Sequence, residues 1–175
     1  GTNKDNYIIT QVKGKLEITP VTDEVVVTIV GNTKEETYNG QSHTVTGYDV
    51  TSISNPLYKK EYVSLKAGAK AEASGTDANT YNMGLTTDSF ENANGNFTNV
   101  KFVIEDGKLT ISKREVTLTS ANASKVYDGT PLTNDTVTVT GDGFAAGEGA
   151  TYNVTGTITN VGKVDNEFTY TLNDG

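Results

Sequence analysis

Along most of the chain, apolar residues alternate with threonine and other polar residues at a period of two. This is the pattern of β-strands with one face turned inward. Thr44-Val45-Thr46, Val116-Thr117-Leu118-Thr119, Thr136-Val137-Thr138-Val139-Thr140, Val154-Thr155-Gly156-Thr157-Ile158 and Phe168-Thr169-Tyr170-Thr171-Leu172 all carry it. Threonine suits the outer face, because its branched Cβ fits the pleat while its hydroxyl tolerates water. Val25 to Val30 is instead an almost unbroken β-branched apolar run, which predicts a strand buried on both faces. Phe102 to Ile111 predicts a hairpin, since two apolar runs flank Asp106-Gly107, a pair suited to the positive φ angles of a type I′ turn. Pro56 to Ala73 resists the strand reading: Tyr58, Tyr62 and Leu65 sit at helical spacing, yet Ala67-Gly68-Ala69 fits a helix poorly. A short helix near Pro56–Tyr62 followed by a strand is the alternative there.

Comparing the chain with itself reveals a repeat. Gly14-Lys15-Leu16-Glu17-Ile18-Thr19 returns as Gly107-Lys108-Leu109-Thr110-Ile111-Ser112, at an offset of 93 residues. Tyr38-Asn39-Gly40 returns as Tyr127-Asp128-Gly129 at offset 89, and Thr76–Thr80 matches Thr159–Lys163 more weakly at offset 83. The three landmarks keep their order, and drifting offsets are what loop-length changes produce on a shared fold. The phase of the repeat makes residues 20–112 one complete β-module and residues 113–175 a second that lacks its last hairpin. Residues 1–19 are then the terminal hairpin of a preceding module. The expected fold is all-β, with tandem antiparallel β-sandwich modules of Ig-like or β-grasp-like kind.

Composition narrows the classes of function. The 175 residues carry 22 Asp+Glu against 14 Lys+Arg, a net charge of −8. Nucleic acid and anionic lipid both require clustered cations, so the balance argues against either as a partner. The chain has no Cys, which removes disulfides, thiolate metal sites and Cys nucleophiles, and one His, which removes sites needing two imidazoles. No apolar run approaches the roughly 18 residues of a membrane span. The absence of Cys mildly favours an exported protein. No basic-then-apolar leader occupies Gly1–Ser54 and no anchoring tail lies near Gly175, and both ends read as cut from something longer.

The stretch Lys125-Val126-Tyr127-Asp128-Gly129-Thr130-Pro131-Leu132-Thr133 resembles the YDG signature of MBG/YDG-type repeat domains, as do Gly141-Asp142-Gly143-Phe144 and Thr159-Asn160-Val161-Gly162. Tyr81-Asn82-Met83-Gly84-Leu85, Glu105–Ile111 and Asn6-Tyr7-Ile8-Ile9-Thr10 are similar to the companion repeat type. These include the Firmicutes doppelganger repeats, found in arrays in very large surface proteins of gut and oral Firmicutes. The resemblance covers nearly the whole chain. It implies a Gram-positive, cell-wall-associated, stalk-like protein with no catalytic residues. Asn39 stands where Asp128 stands in the second unit, and Asn79 where a Gly is usual; both are mild departures, because Asn tolerates turn geometry.

The repeat signature (Tyr38, Asn39, Gly40, Tyr127, Asp128, Gly129, with Asp106 and Gly107) has a plain structural reading. A tyrosine buries its ring at an edge and the Asx-Gly pair turns the chain. A ligand reading would make Tyr38 and Tyr127 platforms for sugars. His43 reads as a strand residue rather than a catalyst. Asp142 and Glu148 lack the spacing of a calcium loop, and Asp88, Glu91 and the asparagines at 92, 94, 96 and 99 read as a polar loop. No pair among the 22 acids is singled out for glycoside hydrolysis, and no Trp is present to build a sugar subsite. The Asn-x-Ser/Thr matches at Asn96, Asn122, Asn134 and Asn153 are expected by chance in so Asn- and Thr-rich a chain. A Lys–Asn isopeptide bond depends on placement that sequence does not reveal. No catalytic residue, metal or cofactor is expected.

The functional expectation is an extracellular stalk or spacer that projects an adhesive region from the cell wall, its partners being neighbouring repeats of the same chain. The alternative is a binding module for mucin-type glycans or host protein. Because residues 1–19 are of the kind that residues 113–175 lack, head-to-tail self-association through residues 1–19 is a further expectation.

Overall fold

The computed structural model describes residue 1 and residues 3–173. The fold is all-β: among the described residues fourteen strands are joined by loops and no helix exceeds a three-residue 3-10 turn. The ladders fall into two groups, one within residues 21–112 and one within residues 116–172, and among the described residues none crosses between them.

In the first group β1 (Val25–Gly31) is the middle of three strands, antiparallel to β4 (Tyr48–Ile53) and parallel to β9 (Val100–Glu105). The chain passes from β1 through Asn32 into β2 (Thr33–Thr37), and from β9 through Asp106-Gly107 into β10 (Lys108–Ser112). The second strand, β10, lies between β2, to which it is parallel, and β7 (Thr80–Asn82), to which it is antiparallel. Two long strands, 25–37 and 100–112, therefore run side by side and move from one sheet to the next together. Two smaller antiparallel pairs flank them: β3 (His43–Thr46) with β6 (Glu72–Gly75), and β5 (Val63–Leu65) with β8 (Phe90–Asn92).

The hairpin expected over Phe102–Ile111 does not form. Its two arms pair with β1 and β2 rather than with each other, and Gly107 is not among the glycines with positive φ. An Asp-Gly pair serves a sheet-switching bend as well as a tight turn, and parallel pairing buries Leu109 and Ile111, which are 0% and 2% exposed. The Asp106 carboxylate accepts from the Gly84 and Leu85 amides at 3.0 and 2.8 Å, tying the loop after β7 to the bend. The run at Val25–Val30 is not buried on both faces: Val25, Val27 and Ile29 are fully buried, and the alternate residues are half-buried. Near Pro56–Tyr62 the backbone makes a bend and a 3-10 turn at Lys60–Tyr62 and then enters β5.

The core has two compartments. Val25, Val27, Ile29, Val50, Leu85 and Phe90 meet in the first, with Tyr58 and Phe97 edge-on at 5.1 Å. Each large apolar side chain enclosed there stabilises by roughly 1.5–3 kcal/mol. Val45, Ala73, Leu109 and Ile111 form the second, covered by Tyr38, Tyr81 and Met83.

The second group is sparser. It contains β11 (Val116–Ser120) with β12 (Val137–Gly141), β13 (Ala150–Val154) with β14 (Phe168–Leu172), and one bridge between Leu132 and Ile158. The strand expected over Val154–Ile158 ends at Val154. Among the described residues Ala145 is the one buried apolar residue of this half. Residues 3–20 are exposed throughout, and after a 3-10 turn at Lys4–Asn6 they enter no strand or ladder.

Candidate functional site

The best-organised polar cluster lies where the two halves meet. Strand β10 leads through Lys113-Arg114-Glu115 into β11 with no longer linker. The Arg114 guanidinium donates to three backbone carbonyls: Gly143 at 2.9 Å, Tyr38 at 3.3 Å, and Asp142. It thus clasps the end of β2 to the loop after β12. Tyr38 is further held from both sides, its amide donating to the Ser112 carbonyl at 2.8 Å and its hydroxyl to the Glu148 carboxylate. That bond, assisted by burial and by the charges of Glu148 and Asp77, pushes the Tyr38 phenol above its ordinary pKa. The Asp142 carboxylate accepts from the Glu115 amide at 3.2 Å, so neither Asp142 nor Glu148 is turned toward a calcium-type cradle. A shallow cleft of about 360 Å³ is left between Tyr38, Asp77, Arg114, Phe144 and Glu148.

Both signature triplets make the same turn. Asn39 Oδ1 accepts from the Gln41 amide and Asp128 Oδ1 from the Thr130 amide, each at 2.9 Å, and Gly40 and Gly129 have φ of 76° and 78°. A Cβ is strained in that region, which is why glycine stands third. Their surroundings differ. Asn39 Oδ1 also lies 2.9 Å from His43 Nε2, whereas Asp128 pairs with Lys125 at 2.9 Å and accepts the Thr130 hydroxyl. These partners hold the Asp128 carboxyl well below the usual carboxylate range, the Lys125 hydrogen bond contributing most. Tyr38 is committed to the junction, and Tyr127 is 62% exposed. The structure therefore does not bring the two triplets together, and Asp106-Gly107 serves the sheet switch.

The asparagine loop organises itself. Asn92 donates to the Asn94 and Phe97 carbonyls at 2.9 and 2.8 Å, Asn94 and Asn96 each accept or donate within it, and the Tyr58 hydroxyl donates to Asn92 at 3.0 Å. Among the described residues no three His, Asp or Glu side chains are placed to hold a metal ion, and no helix is long and apolar enough to cross a membrane.

Sequence reasoning placed Ile111-Ser112-Lys113-Arg114 at a strand-to-strand junction but missed the clasp that the Arg114 side chain makes there; it missed Ala145 altogether and considered Glu148 only as a cation ligand. The position of Lys113-Arg114 at a module boundary was the available signal for the first. Nothing local marks Glu148, whose partner lies 110 residues away. No protein-family model, curated protein or solved structure matches the chain.

Proposed function

We propose that the chain is a non-catalytic stalk segment of a Gram-positive cell-surface protein, a spacer that holds an adhesive region away from the cell wall. The observation that carries this reading is the direction of the strands bearing the two ends of the first module. The chain enters at β1 and leaves at β10, and because 25–37 and 100–112 run parallel, entry and exit lie at opposite poles. Thirteen residues at about 3.3 Å each make that span roughly 40 Å. Tension applied along the chain then loads the β1–β9 and β2–β10 ladders in shear, so their hydrogen bonds share the force rather than opening one after another. The short, clasped junction at Arg114 passes the same tension to β11 and limits bending. The acidic surface keeps crowded stalks apart, and the repeat resemblance supports an extracellular, wall-associated setting.

Single-molecule stretching between the two termini tests this. One unfolding event should release about 300 Å of contour, as roughly 90 residues do when extended. It should occur at clearly higher force than the event from residues 113–173. Equal low forces for both halves would refute the spacer reading. The glycan-binding alternative rests on the exposed ring of Tyr127. Retention of the chain on immobilised mucin-type glycans, lost in Tyr127→Ala, would favour it.

A further inference from the structure

We infer that Asn39 is a self-modifying site, where the Gly40 amide nitrogen attacks the Asn39 side-chain amide and the resulting deamidation loosens the junction that Arg114 clasps. The inference stands on the chemistry of one turn and does not depend on a cell-surface role.

The chain has two Asn-Gly pairs, Asn39-Gly40 and Asn94-Gly95. Glycine leaves its own amide nitrogen unshielded, because it has no Cβ. In the first step the Gly40 nitrogen bonds to Asn39 Cγ and its proton passes to water. The Cγ–Nδ2 bond breaks, the departing nitrogen takes a proton from water, and ammonia leaves behind a cyclic imide. Water then opens the imide at either carbonyl. One opening gives aspartate, and the other gives isoaspartate, whose main chain is longer by a methylene. Nothing is oxidised or reduced, and water is the co-reactant.

Asn39 is arranged for this step. Its Oδ1 accepts from the Gln41 amide and from His43 Nε2, each at 2.9 Å. An amide oxygen only accepts, so the imidazole carries a proton on Nε2. The bond to Gln41 closes a ring that contains both Cγ and the Gly40 nitrogen, so attacker and target are held in one turn. Negative charge gathers on Oδ1 as the nitrogen attacks, and two donors already point at that atom, as in an oxyanion hole. Among the described residues the Gly40 amide, the leaving Nδ2 and the Asn39 carbonyl have no hydrogen-bond partner, so neither the attacking nor the departing group is held back.

Asn94 carries the same pair in a locked turn. Its Oδ1 accepts from the Asn96 amide at 2.9 Å, with no imidazole beside it. Its own amide is tied to Asn92 Oδ1 at 3.0 Å. Its carbonyl accepts from Asn92 Nδ2 at 2.9 Å and from the Phe97 amide at 3.2 Å. Closing an imide must rotate the peptide between residues 94 and 95 and break both bonds on that carbonyl.

The second triplet shows what the product meets. Asp128 stands in the position of Asn39 and keeps the same turn, paired with Lys125. At offset 89 the counterpart of Lys125 is Glu36. A carboxylate at position 39 therefore gains no lysine and faces Glu36 across the His43 ring, where Glu36 Oε1 lies 3.9 Å from Nδ1. Isoaspartate moves the chain as well. Its extra methylene falls between Tyr38, which Arg114 and Glu148 hold, and Gly40, where a Cβ would stand 3.7 Å from Ala145 Cβ.

Mass spectrometry of tryptic peptides from the full chain, aged at neutral pH, tests the inference. Peptide 35–59 carries Asn39 and peptide 71–101 carries Asn94. Deamidation at Asn39 should run about tenfold faster than at Asn94, the worth of one hydrogen bond to a developing charge. In urea, where neither turn exists, the two rates should converge. His43→Ala should slow Asn39 by the same factor and leave Asn94 unchanged, and His43→Gln, which keeps a donor, should restore most of the rate. Scattering of the aged chain should show the freer bending expected of Arg114→Ala. Asn39→Ser, which keeps an acceptor oxygen but has no ammonia to lose, should not change with age. The inference is overturned if Asn39 reacts no faster than Asn94 in the folded chain, or if the same ratio persists in urea. It is equally overturned if His43→Ala leaves the Asn39 rate unchanged, or if ageing leaves the scattering unchanged.

Discussion

Replacing Gly107 with alanine should break the crossing on which the first module turns. A Cβ built there stands 2.6 Å from the Asn32 carbonyl oxygen and 2.8 Å from the Gly31 carbonyl carbon, where ordinary contact begins at 3.4 Å. Both obstacles are backbone, so the two long strands must part by about 0.8 Å. The crossing is pinned by the Lys108 amide on Asn32 at 3.2 Å and by the Met83 amide on Gly107 at 2.9 Å, so parting it weakens both bonds. Overpacking of this kind costs about 1–3 kcal/mol and a weakened ladder bond roughly 1 more. Loss of unfolded-chain freedom returns only about 0.4–1 kcal/mol. The net loss, about 2–3 kcal/mol, should lower the melting temperature of a module of this size by roughly 10–20 °C. Calorimetry of the full chain, followed by urea unfolding, reads this directly. The internal control is Gly14→Ala, at the repeated position, where nothing lies within 4 Å. It should leave unfolding unchanged. A shift below about 2 °C for Gly107→Ala, or an equal shift for Gly14→Ala, would refute the crossing argument.

The junction should respond to alkali. Because the folded-state pKa of Tyr38 is raised, its contribution is complete below the ordinary phenol value near 10 and is lost as pH rises through the higher folded one. Ultraviolet titration of the chain minus Tyr38→Phe should isolate a late-ionising phenol, distinct from Tyr58, which burial also raises. Scattering profiles should show the two halves bending more freely above that point and in Arg114→Ala. The Asp128 turn should behave in the opposite sense. Its lowered pKa keeps the contribution present above the ordinary carboxylate value and lost only as pH falls below that range. Asp128→Asn should lose the Lys125 pair yet retain slow exchange of the Thr130 amide, as Asn39 binds Gln41; fast exchange would show that the turn depends on charge.

The second half is the more sparsely packed of the two. A half with Ala145 as its one buried apolar residue among those described should unfold first under heat or force.

The all-β class and most strand positions were written in local pattern, because alternation of apolar and hydroxyl residues suits one backbone geometry. The repeat of Gly-Lys-Leu and Tyr-Asx-Gly was legible too, and both Tyr-Asx-Gly copies make the same turn. Tertiary structure alone decided the fate of Asp106-Gly107. A tight turn and a sheet-switching bend use the same residues, and the choice fell to the bend because β1 and β2 offered parallel edges that enclose Leu109 and Ile111. The half-buried face of β1 was decided the same way, by what lies over it rather than by its own composition. Arg114, Tyr38 and Glu148 were brought together by tertiary contacts across sequence separations that no local signal spans. The physical reason is that a strand is stabilised by its neighbours, and a local pattern states the strand without stating which neighbours it will meet.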